Sequence, residues 1–145
     1  MSLPNTIVLV HGDTEYLLFD WIRSSLKTDF VIHPKLGSGH TISMKGVAEV
    51  LSSPPFDRTA SLHSAFRTLD YDEDRREFVK LRVYPVLDVD GDTASFRSYA
   101  SRDAFRDVPL RNSIYPVYNN PNLESVLSEV GLDVNHDLKS FRKFL

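Results

Sequence analysis

The chain has 145 residues, 41% of them hydrophobic, which fits one globular domain spanning 1–145 with enough apolar material for a core. Its formal charge of −3 argues against bulk attraction to nucleic acid or membrane and confines any polyanion contact to a local basic patch. Cysteine is absent, so disulfides and thiolate chemistry are excluded, and His11, His33, His40, His63 and His136 show no zinc-binding spacing. No basic segment followed by an apolar stretch opens the chain, and no apolar run reaches membrane-spanning length, so the expected compartment is the cytoplasm.

T-I-V-L-V, residues 6–10, is β-branched and continuously apolar, as a strand covered on both faces would be. Asp13 or Thr14 can cap the helix that follows, in which Leu18, Trp21, Ile22 and Leu26 fall at core-facing spacing. F-V-I-H at 30–33 is a second strand. Beyond the loop P-K-L-G-S-G-H, Met44, Val47, Ala48 and Leu51 predict one packing helix, and Leu62, Ala65, Phe66 and Leu69 another. D-Y-D-E-D-R-R-E, residues 70–77, reads as a solvated loop or helix face.

L-R-V-Y-P-V-L at 81–87 predicts a third strand, an arginine-rich polar segment follows, and I-Y-P-V-Y at 114–118 predicts a shorter fourth. Pro85 and Pro116 each remove a ladder donor, which favours edge positions or kinked strand ends. Helical patterns near 122–130 and 136–144 close the chain. Strands alternating with helices imply an α/β fold, a mostly parallel central sheet flanked by helices.

In such a sheet, ligands bind beyond the C-terminal ends of the strands. The first strand runs into H-G-D-T-E and the third into D-V-D-G-D, so both acidic turns belong to one edge. Glu15 lies in the first turn of its helix, while Asp88 and Asp90 sit two apart and can project to the same side. Carboxylates gathered this closely repel unless a cation or strong donors share the site. Oxygen ligands suit Mg²⁺ held by one or two carboxylates with water and phosphate oxygens. The competing reading of D-V-D-G-D is a solvated turn shaped by Gly91.

An apolar strand ending in an acidic turn, a helix and a later strand ending in D-x-D resembles the Toprim domain of topoisomerases, bacterial primases and several nucleases. H-G-D-T-E-Y-L-L-F is similar to the first motif of the overcoming-lysogenization-defect nucleases, and N-N-P-N-L-E resembles the late asparagine-proline segment of the related RloB-like proteins. The landmarks run from residue 6 to residue 127. The resemblance implies a divalent metal, Mg²⁺ or Mn²⁺, on Asp88 and Asp90 with Glu15, nucleic acid as substrate, and a setting in phage or mobile-element defence. A partner protein is also consistent with that setting. Asp92 and Glu124 are additional candidates, Glu124 by its match to the acid of the late segment. His11 stands where the family carries its general acid/base glutamate, so the catalytic candidates are His11 and Glu15. Imidazole can carry a proton near neutral pH or ligate a softer ion such as Mn²⁺. The alternative is an interaction module that has lost its chemistry.

Arg97, Arg102, Arg106 and Arg111 recur at about one helical turn and can track a phosphate backbone, but Asp103 and Asp107 can pair with them. G-S-G-H-T, residues 37–41, lacks phosphate-loop spacing and is read as a connection that can rim the site. The D-x-D motif also occurs in haloacid dehalogenase-like phosphatases, but there it follows the first strand, and here the third.

Overall fold

The computed structural model describes residues 5–89, 91–120 and 122–129, the side chain of Glu124 excepted. Strand β1, Thr6–Val10, is buried at every position. Ile7 and Leu9 join the larger apolar cluster with Leu51, Leu62, Val83 and Leu87, whereas Val8 and Val10 join a second with Phe30, Ile32 and Val86. Successive strand residues face opposite ways, so the run is apolar throughout because both faces of the sheet are covered at this strand. Each such side chain contributes about 1.5–3 kcal/mol on full burial.

Helix α1, Asp13–Leu26, leads to β2, Val31–His33, and two short helices follow, α2 at Val47–Leu51 and α3 at Thr59–Ala65. A small antiparallel pair, β3 (Tyr71–Asp72) and β4 (Glu77–Phe78), precedes β5, Arg82–Asp88. Then come α4 (Thr93–Ala100), two 3₁₀ turns, β6 (Val117–Asn119) and α5 (Leu123–Glu129). The four main strands lie in the order β2-β1-β5-β6, all parallel. The fold is therefore α/β, with a parallel central sheet flanked by helices. Helices α2, α3 and α4 bury Val47, Leu51, Leu62 and Tyr99 in the larger cluster, and α1 lays Tyr16 and Phe19 on the second. Among the described residues no helix is long and apolar enough to cross a membrane.

Several local expectations are corrected. Gly12, not Asp13 or Thr14, is the N-cap of α1. The inward face of α1 is not Leu18–Trp21–Ile22–Leu26, since Trp21 is 36% and Leu26 63% exposed. With two adjacent apolar stripes on one helix, spacing alone cannot choose, and it is Tyr16 and Phe19 that pack on the second cluster. Phe66 and Leu69 lie beyond α3 yet still pack, and residues 70–77 form a hairpin around a turn, where Tyr71 and Phe78 meet edge-on at 5.0 Å. Of 114–118, only Val117 and Tyr118 are in β6, and Ile114 makes an isolated bridge to Val83. The helical pattern at 136–144 lies outside the described residues.

Pro85 sits within β5, an inner strand, against expectation. Tyr99 ties this strand to its neighbour beside the proline. The Tyr99 hydroxyl lies 2.6 Å from both the Pro85 and the Val117 carbonyl oxygens and donates to this pair across the β5–β6 seam. Pro116 likewise carries no N–H between the Ile114 bridge and β6, and the buried Tyr99 hydroxyl adds a side-chain donor that spans the two strands at this point.

His33, at the end of β2, meets the rings of Phe56 and Phe66 edge-on at 5.1 and 5.9 Å. Burial, and secondarily the charge of His40, lowers its pKa from the ordinary 6.5. The unfolded chain therefore binds a proton that the folded chain resists, and stability falls as pH drops below about 6.5. Melting temperatures between pH 7 and pH 5 should decline, and His33→Phe should flatten that slope; an identical slope in the variant would remove His33 as its source.

Candidate functional site

The C-terminal ends of β1 and β5, adjacent and parallel with Val10 opposite Val86, open into a cleft of about 340 Å³. It is lined by residues 11–15, Asp88 and Asn122. The structure thus brings His11, Glu15 and Asp88 to one cleft, from the strand ends where the sequence placed them.

Glu15 is at the third position of α1 and only 3% exposed. Its Oε2 accepts the Gly12 N–H at 3.1 Å, which satisfies one of the donors a helix start leaves open. Asp88 ends β5, and its Oδ1 accepts the Leu123 N–H at 3.0 Å and lies 3.4 Å from the donating Asn119 Nδ2. The start of α5 is thereby tied to the end of β5.

His11 is held from both ends. Its carbonyl accepts the Ile42 N–H at 3.0 Å, and its Nδ1 lies 2.7 Å from the Ile42 carbonyl oxygen. A carbonyl only accepts, so Nδ1 carries the proton and, in the neutral ring, Nε2 keeps the lone pair. Asp13 Oδ1 accepts the Gly37 N–H at 3.0 Å, with Gly37 at φ +75°. These contacts tie the 37–42 loop to the turn that carries His11 and Asp13.

Asp92 has a different task. It is the N-cap of α4, with Oδ1 accepting the Ser95 N–H at 3.1 Å, and that hydrogen bonding lowers its pKa. It is not among the residues lining the cleft. Gly91 beside it has φ +78°, where a Cβ would meet no atom within 4 Å. The cost of Gly91→Ala is then purely backbone, about 1–2 kcal/mol. Thermal unfolding should register it as a loss of several degrees. Asp90 and the side chain of Glu124 lie outside the described residues, with Glu124 in the first turn of α5.

The arginines do not share one helical face, because α4 ends at Ala100 and only Arg97 lies within it. Arg106 pairs with Asp103 at 3.6 Å, both exposed, an ion pair worth at most about 1 kcal/mol. Arg102 donates from Nη2 to the Arg111 carbonyl at 2.7 Å.

Sequence reasoning missed Asn119 and Asn122. Asn122 lines the cleft while its Oδ1 accepts the Ser125 N–H at 2.8 Å, and an asparagine just before an apolar helical pattern was the available capping signal. Of the three carboxylates that line the cleft, Asp13 is engaged by the Gly37 N–H, and Glu15 with Asp88 fit an ion that keeps most of its shell as water and phosphate oxygen, as Mg²⁺ does. Among the described residues no group of three or more His, Cys, Asp or Glu side chains is placed to hold an ion, so they form no dedicated protein cage. Comparison with models of protein families, with curated proteins and with solved structures gives no match.

Proposed function

We propose that this chain is a Toprim-like protein that acts on nucleic acid at the β1–β5 cleft through a divalent metal, by phosphodiester hydrolysis, in a phage or mobile-element defence setting. The observation that carries the reading is the convergence of His11, Glu15 and Asp88 on one cleft at the ends of two neighbouring parallel strands. Glu15 and Asp88 would hold Mg²⁺ or Mn²⁺, which would polarise the phosphate and lower the pKa of a bound water. His11 presents Nε2 as acceptor, because Nδ1–H is spent on Ile42, and so serves as proton carrier or as nitrogen ligand.

The competing reading is an interaction module without turnover, favoured by His11 at the family's glutamate position. A cleavage assay with Mg²⁺ and then Mn²⁺ separates the two when wild type is set beside Asp88→Asn. Asparagine keeps an oxygen for the Leu123 N–H but loses the charge, so it should abolish metal-dependent cleavage without unfolding the protein. Metal-dependent thermal stabilisation with no cleavage by wild type would establish the module instead.

A further inference from the structure

The half of the sheet formed by β5 and β6 carries a surface that the cleft does not use. Alternate residues of a strand share a face, so Tyr84 lies on the same side of β5 as Asp88, and Tyr115 and Val117 on the same side as Asn119. Contacts fix both ends of this face. The Tyr84 and Tyr115 rings meet at 5.6 Å and 32°, and four residues further along Asn119 reaches Asp88. Tyr115 remains 44% and Val117 42% exposed. The face thus leads from two tyrosines, across an open valine, to the cleft about 13 Å away.

Its rim is cationic. The Arg102 guanidinium stands 6.0 Å from the centre of the Tyr115 ring, and Arg102 is bonded to Arg111. Arg82 begins the same strand face, where the Tyr84 hydroxyl raises its pKa and Tyr115 adds to the effect. Arg82 and Arg102 thus bring two positive charges to this face, on a chain whose net charge is −3. Local excess of positive charge beside exposed aromatic rings is the arrangement that binds unpaired nucleotides, whose bases stack while their phosphates meet guanidinium groups. A duplex hides its bases and gains nothing from the rings.

We infer that the Tyr84–Tyr115 face with Arg82 and Arg102 is a docking platform for single-stranded nucleic acid, which it delivers along β6 to the cleft. The inference rests on the proposed function for what happens at the cleft, but the platform's binding needs no metal.

The test is fluorescence anisotropy in EDTA with labelled oligothymidylate and a blunt duplex of the same length. Wild type should prefer the single strand. Tyr115→Ala should weaken that binding about tenfold, and Tyr115→Trp should hold it within about twofold, because either ring stacks. Arg102→Ala should make the slope of log K against log salt shallower by about 0.7. Arg75→Ala, on the β3–β4 turn, should change nothing. Equal binding by wild type and Tyr115→Ala, a preference for duplex, or no binding at all overturns the platform. If Tyr115→Ala weakens binding but wild type never cleaves with any metal, the platform stands and the hydrolase reading falls. If Asp88→Asn abolishes cleavage while Tyr115→Ala binds normally, the reverse holds.

Discussion

If the chain hydrolyses nucleic acid as proposed, His11→Glu is expected to shift the metal preference of cleavage from Mn²⁺ in the wild type toward Mg²⁺ in the variant. Imidazole nitrogen suits transition ions, whereas a third carboxylate suits a hard ion that takes oxygen. The gain comes with a loss of stability. Glutamate cannot donate to the Ile42 carbonyl, which the His11 Nδ1–H now satisfies at 2.7 Å, and leaving that acceptor unpaired costs about 1–3 kcal/mol. Cleavage rates with each ion, measured well below the variant's melting temperature, separate the two effects. Loss of activity with both ions would identify His11 as the proton carrier, since that function is worth about 10²–10⁴ in rate. An unchanged preference would show that His11 lines the cleft without ligating the ion.

Tyr99→Ala is expected to be the most destabilising single change at the β5–β6 seam, by about 3–5 kcal/mol, which combines lost transfer energy with the cavity left behind. Tyr99 is fully buried and packs on Phe105 at 5.8 Å between ring centres. Tyr99→Phe isolates the hydroxyl and should cost about 1–3 kcal/mol, because the Pro85 and Val117 carbonyls lose their shared donor. Burial raises the pKa of the hydroxyl well above its usual 10.0, so it stays protonated in the folded state. The unfolded chain releases that proton first, and stability should fall as pH rises above about 10 in the wild type but not through this group in Tyr99→Phe. Denaturant titrations of both variants check the magnitudes. A phenylalanine variant as stable as the wild type would show that the two carbonyls find other donors.

The first motif positions its own acids because a parallel strand followed by a helix leaves little freedom. T-I-V-L-V had to be an inner strand, H-G-D-T-E had to turn at its C-terminal end, and Glu15 had to fall in the first helical turn; the structure has all three. Asp88 was legible for the same reason, as the first polar residue after a continuous apolar run. Asp92 was read only as a further site candidate because the helix α4 that it caps was not legible in the arginine-rich segment after it. The stripe of α1 that faces the sheet was misread because Tyr16–Phe19 and Leu18–Trp21–Ile22 are both apolar, and only packing on the second cluster selects between them. Pro85 was misread because propensity sees only the missing donor, whereas β5 pairs with β1 and β6 on its two sides all the same, and the Tyr99 hydroxyl from a helix fourteen residues later joins β5 to β6. The tautomer of His11 depends on Ile42, thirty-one residues away, and the path from Tyr115 to Asp88 depends on the register of β5 with β6. The sequence by itself determined the four main strands, the helices α1, α2, α3 and α5 between and after them, and the acidic turns at two strand ends, because periodicity and turn chemistry are local; the β3–β4 hairpin and α4 were not legible in it. Only the tertiary structure decided which nitrogen His11 presents, that Asp88 is held by the start of α5 and which sheet face stays open, because each depends on a partner that is near in space and distant along the chain.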